Sequence, residues 1–85
     1  MRIASKFASA VLEARTRLGY TQSQVAEAVS VSVRWYQKVE SGRKLPGTVT
    51  ALRIILFLEI DVENFREEVG LVEPVQRAKR ELALK

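Results

Sequence analysis

The chain contains no cysteine and no histidine. The first absence excludes disulfides and thiolate metal sites. The second removes the usual general base and the commonest transition-metal ligand. Catalysis would therefore fall to the ten carboxylates, which the pattern places on solvated helix surfaces with no convergent pocket. Glycine is scarce, at four residues, and none forms a phosphate-cradling loop. The longest apolar run, residues 54–58, is far too short to span a bilayer. The opening MRIASKF lacks the apolar stretch of a signal peptide. The expectation is a cytoplasmic protein with no membrane association, no enzymatic activity, no catalytic residue, no metal and no cofactor.

What is present is helical. Apolar residues make up 47% of the 85 positions and recur with a period near 3.6, and only two prolines interrupt them. A chain of this length buries one modest core and forms one all-α domain. Its net charge of +4 is unevenly distributed. Residues 1–58 hold nine Lys/Arg against three Glu, a balance of +6, and residues 59–85 hold five against seven, a balance of −2. A polyanion would approach the first part and be repelled by the acids Glu59, Asp61, Glu63, Glu67, Glu68 and Glu73 just beyond it.

The stretch over residues 21–42, TQSQVAEAVSVSVRWYQKVESG, organises the rest. Thr21 is a good N-cap, and Gln24 three residues later completes a capping box. Val25, Ala26 and Val29 then share one face of a short helix, residues 22–28. Ser32 is a second N-cap, from which Tyr36 and Val39 recur at helical spacing until Gly42 stops the second helix, residues 33–41. Two helices this short are unstable alone. They can cross steeply only over a small residue, and Ala26 is the natural contact point. The outer face of the second helix then carries Val33, Arg34, Trp35, Gln37 and Lys38 with no acid among them. Such a face suits the major groove of DNA, which admits one α-helix.

These residues resemble the helix-turn-helix of the lambda-repressor and Cro-like family, also called the xenobiotic-response-element family. Thr21-Gln22, Ala26, Val31-Ser32 and Val39-Glu40 before Gly42 carry the resemblance. It extends over about residues 7–65, with Pro46, the apolar residues 52–58 and Ile60-Asp61-Val62 falling at the fourth and fifth helices. Two positions depart from the family pattern: Ser30 stands at the turn, and Glu59 after the fourth helix, where glycine is frequent. The resemblance implies a compact five-helix DNA-binding domain over residues 1–70. A sixth helix is expected in a C-terminal extension, residues 71–85, beginning at Pro74 and striped by Val75, Ala78 and Leu82. That stripe either folds back on its own domain or pairs with a second subunit or another protein partner.

Individual residues carry the remaining expectations. Helix 1 spans residues 5–18 with Phe7, Val11, Ala14 and Leu18 inward, and Arg15 and Arg17 near its end suit the helix dipole or a phosphate. Val33, Arg34, Gln37 and Lys38 are the expected base readers. Arg34 can pair bidentately with guanine, Val33 can pack on a thymine methyl, and Gln37 or Lys38 can reach a further base or a phosphate. Gln22, Ser32, Trp35, Arg43 and Lys44 are the expected backbone contacts. Trp35 is equally large enough to be partly buried, the outcome its size favours. Glu40 would repel phosphate and reads as structural, paired with an arginine of helix 1 or 4. Helix 4, capped by Thr48 and reaching residue 58, carries Leu52, Ile55, Leu56 and Phe57 on more than one face. It is therefore either a central buried helix or one with a face left over. Helix 5, residues 62–69, follows the Asp61 cap with Phe65 and Val69 inward, and the resemblance implies a dimer contact near it. The expected function is that of a homodimeric, sequence-specific double-stranded DNA-binding regulator, most simply a repressor reading a palindromic operator. The alternative is an antitoxin-type interaction module that neutralises a partner and autoregulates its operon.

Overall fold

In the computed structural model, residues 3–70 are described, and the extension over residues 71–85 lies outside them. Four helices follow one another: α1 (Ile3–Leu18), α2 (Gln22–Ala28), α3 (Val33–Glu40) and α4 (Thr48–Phe57). A short 3₁₀ helix, Val62–Phe65, comes next, and no strand occurs among the described residues. The capping box at α2 forms as the residue types dictate. Thr21 Oγ1 accepts from the Gln24 backbone N–H at 3.1 Å, and Gln24 Oε1 accepts from the Thr21 N–H at 2.8 Å. Ser32 Oγ caps α3 by accepting from the Trp35 N–H at 3.0 Å.

All four α-helices stop in the same way. The residue after a left-handed one, two or three positions beyond each helix, donates back to a carbonyl five positions earlier: Tyr20 to Arg15, Val31 to Ala26, Arg43 to Lys38 and Ile60 to Ile55. Gly19 and Gly42 take the left-handed position at α1 and α3 with φ of 79° and 81°. At α2 and α4 the same position is held by Ser30 (φ 63°) and Glu59 (φ 55°). The two departures from glycine therefore leave the turn type unchanged and add backbone strain to it.

One core joins the elements. Phe7, Val11 and Ala14 from α1 meet Val25, Ala26 and Val29 around α2, Tyr36 and Val39 from α3, Ile54 and Leu58 from α4, and Phe65 beyond. Leu18 packs half-buried at its edge. Phe7 and Phe65 stack tilted at 5.8 Å, and Tyr20 and Phe57 at 4.9 Å, so both chain segments after α1 and α4 are anchored by aromatics.

Several expectations need correction. α1 begins at Ile3, two residues before the expected start, and α3 ends at Glu40. Gly47, not Thr48, is the N-cap of α4, and it provides no side-chain cap. Within α4 the buried residues are Ile54 and, just past the helix, Leu58, while Leu52 and Leu56 are 50% and 77% exposed. The helix thus has a face left over, because it lies along the domain's flank and covers the core with one stripe alone. The segment after Asp61 is a single 3₁₀ turn followed by turns, not an eight-residue helix. Asp61 Oδ1 accepts from Glu63 N, two residues on, which closes a tight local turn. Phe65 points inward as expected, but Val69 is 56% exposed, because the chain has already turned away from the core.

Candidate nucleic-acid interface

The outer edge of α3 follows directly from its burial pattern. Tyr36 and Val39 are fully buried, and this forces the opposite positions outward. Val33, Arg34, Gln37 and Lys38 are all exposed. Arg43 and Lys44, also exposed, leave the end of the helix on the loop to α4. The six side chains therefore lie along one outward helix edge and the loop that continues it. Among the described residues no carboxylate is ion-paired to any of these four cations.

Beneath that edge runs a hydrogen-bonded chain of four side chains. Gln37 Nε2 donates to Gln22 Oε1 at 3.1 Å, and Gln22 Nε2 donates to Glu40 Oε1 at 3.3 Å. Glu40 in turn accepts two bonds from Arg15, from Nε at 2.9 Å and from Nη2 at 2.7 Å. Arg15 Nη1 also donates to the Tyr20 carbonyl at 2.9 Å. The fork-on-fork geometry matches a planar guanidinium to a carboxylate. It makes Glu40 the expected structural acid and Arg15 its helix-1 partner. Burial alone would push the Glu40 carboxyl up, but the bonds from Arg15, the nearby Tyr36 hydroxyl, the bond from Gln22 and the Arg15 charge hold it below its ordinary range. The bond to Glu40 raises Arg15 still further.

The network changes what three residues can do. Gln22 is half-buried and already bonded at both ends of its amide, so it retains its second N–H for an outside acceptor. Gln37 is tethered from below, and its rotamer is set before any ligand arrives. Arg15, one of two phosphate candidates at the end of α1, is consumed internally, whereas Arg17 is exposed and lies 3.7 Å from Glu13. The coupling of Gln22 to Glu40 and Gln37 was not legible in the sequence, since these residues sit 18 and 15 positions apart.

Two expected backbone contacts carry a structural duty as well. The Ser32 oxygen caps α3, which leaves its hydroxyl proton to donate outward. Trp35 is half-buried against the core edge, as its size favours, and Lys44 Nζ lies 5.8 Å from the centre of its ring. The indole thereby holds the loop ammonium beside the start of α3. Below the helix the Tyr36 hydroxyl is buried near Arg15 and Glu40 without a partner at hydrogen-bonding geometry. Burial, reinforced by the Glu40 charge, pushes the phenol well above its ordinary value. Among the described residues no group of acids could hold a metal, and no helix is long and apolar enough to cross a membrane.

Comparison with known proteins agrees with this geometry. A family model described as a helix-turn-helix domain matches residues 7–69, which span α1 to the turns after Phe65. The crystal structure of the clp gene regulator ClgR from Corynebacterium glutamicum is similar at a TM-score of 0.68 and 25% identity, over 94% of this chain and 85% of that one. No curated protein matches the sequence. With the matched family covering most of the chain and the second helix of its motif presented outward, the chain belongs to the helix-turn-helix domain family of DNA-binding proteins.

Proposed function

We propose that the protein is a homodimeric transcriptional regulator that inserts α3 into the major groove of an inverted-repeat operator and acts by excluding polymerase. The observation that carries this proposal is the tethered, outward edge of α3. Val33, Arg34, Gln37 and Lys38 are exposed on a helix whose opposite face is fully buried. In this reading Arg34 pairs with guanine, Val33 meets a thymine methyl, and Gln37, pre-oriented by Gln22, takes a neighbouring base. Lys38 reaches a further base or a phosphate. Gln22, Ser32, Trp35, Arg43 and Lys44 hold the flanking phosphates and fix the register. The likeness to a structure named as a gene regulator supports the regulatory role.

One such helix reads too few base pairs to define a site, so a second copy is required. The exposed stripe Val49, Leu52 and Leu56 on α4 gives that copy an apolar surface to meet. The same stripe would suit a different protein, and that second reading corresponds to an antitoxin-type module. Selection of bound sites from random duplex DNA tests both. The regulator reading expects a palindrome with half-sites about 34 Å apart, one helical turn. Recovery of no enriched sequence by the purified protein at moderate salt would leave only the protein-interaction reading.

A further inference from the structure

The hydrogen-bonded chain beneath α3 has a direction as well as a set of contacts. Its inner end is Glu40, gripped by Arg15 Nε at 2.9 Å and Nη2 at 2.7 Å. Those bonds hold the carboxyl below its ordinary range despite its burial, so it is ionised. An ionised carboxylate can only accept. Gln22 must therefore turn its amide nitrogen toward Glu40, and Nε2 donates to Oε1 at 3.3 Å. The same turn aims Gln22 Oε1 at Gln37, where it too can only accept. Gln37 must then offer its own nitrogen, and Nε2 donates to Gln22 Oε1 at 3.1 Å. Each amide has one donor end and one acceptor end, so Glu40 sets the order of the whole chain out to the surface. At the exposed end Gln37 keeps Oε1 and its second N–H, neither bonded among the described residues.

That outward pattern, an acceptor beside a donor, matches one purine. Adenine offers N6–H to Oε1 and N7 to the N–H. Guanine presents two acceptors, O6 and N7, and O6 would stand against Oε1. Turned the other way, the same amide would present only N–H donors and suit guanine instead. We propose, on the reading that α3 enters the major groove, that Glu40 is a specificity-determining residue two hydrogen bonds removed from Gln37. It fixes the Gln37 amide so that adenine is selected over guanine at the base pair Gln37 meets. Glu40 touches no base. It is a positioning residue that acts through Gln22, and Arg15 keeps it charged and in place. The rival account is an ion pair that only joins α1 to α3, whose loss would weaken every DNA site alike.

Site selection from random duplexes, with the wild-type chain and with Gln37→Ala, identifies the base pair as the one whose preference the variant loses. Competition titrations then compare duplexes carrying adenine or guanine at that position. The wild-type chain is expected to favour adenine by roughly 5- to 150-fold, the range for one bidentate contact. Glu40→Gln keeps the shape but can turn either a donor or an acceptor to Gln22, and the ratio is expected to fall toward one. Should that variant fail to fold, Gln22→Ala breaks the chain one bond further out and leaves the Arg15–Glu40 pair intact. The same fall is expected, and any uniform loss of affinity cancels in the ratio. In a Gln37→Ala background neither substitution is expected to move the ratio. An adenine preference that survives in either variant would overturn the proposal. So would a wild-type preference for guanine, or a Gln37→Ala variant that relaxes no base pair. A wild-type chain that enriches no sequence at all would bring down the operator reading as well, which separates the two failures.

Discussion

At the scale of single residues, strain and missing partners make the sharpest predictions. Ser30 and Glu59 hold a left-handed conformation that costs a residue with a Cβ about 1–2 kcal/mol. Part of that gain is lost on substitution, because glycine also frees the unfolded chain. Ser30→Gly and Glu59→Gly should therefore each raise stability by about 0.5–1 kcal/mol, as measured by urea unfolding. The Tyr36 hydroxyl is the opposite case, a polar group buried beside the Arg15–Glu40 pair with no partner at hydrogen-bonding geometry. Tyr36→Phe should be neutral or slightly stabilising, and a loss above about 1 kcal/mol would reveal a bond that the hydroxyl makes. On the DNA-facing edge the roles divide by chemistry. Arg34→Ala should cost about 1–3 kcal/mol on the preferred site and relax base choice there, whereas Lys44→Ala should weaken all sequences alike. Gel-shift titrations against the selected and scrambled sites distinguish the two.

At the scale of elements, the helix starts and stops were legible because each is a local chemical event. Thr21 with Gln24 and Ser32 before Val33 identified the two starts that matter, and both caps form. Gly19 and Gly42 marked the stops. The misjudged parts depend on non-local packing. Leu52, Ile54, Ile55, Leu56, Phe57 and Leu58 surround α4 almost completely, so periodicity could not say which stripe faces the core. Only the placement of α4 on the flank decides that Ile54 is covered and Leu56 is not. After Asp61, the like charges Glu63 and Glu67 sit one turn apart, which disfavours a continued α-helix. Of the expected interface, the exposure of Val33, Arg34, Gln37 and Lys38 could be read from the spacing of Tyr36 and Val39. The tethering of Gln37 could not.

The Arg15–Glu40 pair joins α1 to α3 and has a definite pH signature. The Glu40 carboxyl is held below its ordinary value of 4.5 in the folded chain. The unfolded chain therefore binds the proton first as pH falls. The stability from this group is complete above about pH 4.5 and is lost as the pH drops through the folded value. Glu40→Gln should cost about 1–3 kcal/mol at neutral pH, since it leaves the Arg15 guanidinium without its counter-charge. It should also flatten the acid limb of the stability profile, and thermal melts of both proteins between pH 3 and 7 check this.

At the scale of the whole molecule, the net charge of +4 is a poor guide to how strongly a polyanion is held. Lys6, Arg15, Arg17 and Arg66 are each engaged by a carboxylate of the same chain. The α3 edge and its loop keep Arg34, Lys38, Arg43 and Lys44. Binding then displaces condensed sodium or potassium ions from the duplex only as far as these side chains replace them. If two to four of them per subunit do so in a dimer, log Kobs against log salt should have a slope between about −4 and −7. A much steeper line would require further cations to arrive from elsewhere in the chain. The internal ion pairs thus withdraw four of the chain's fourteen cations from that exchange, and a rise in ionic strength acts on the complex only through the others.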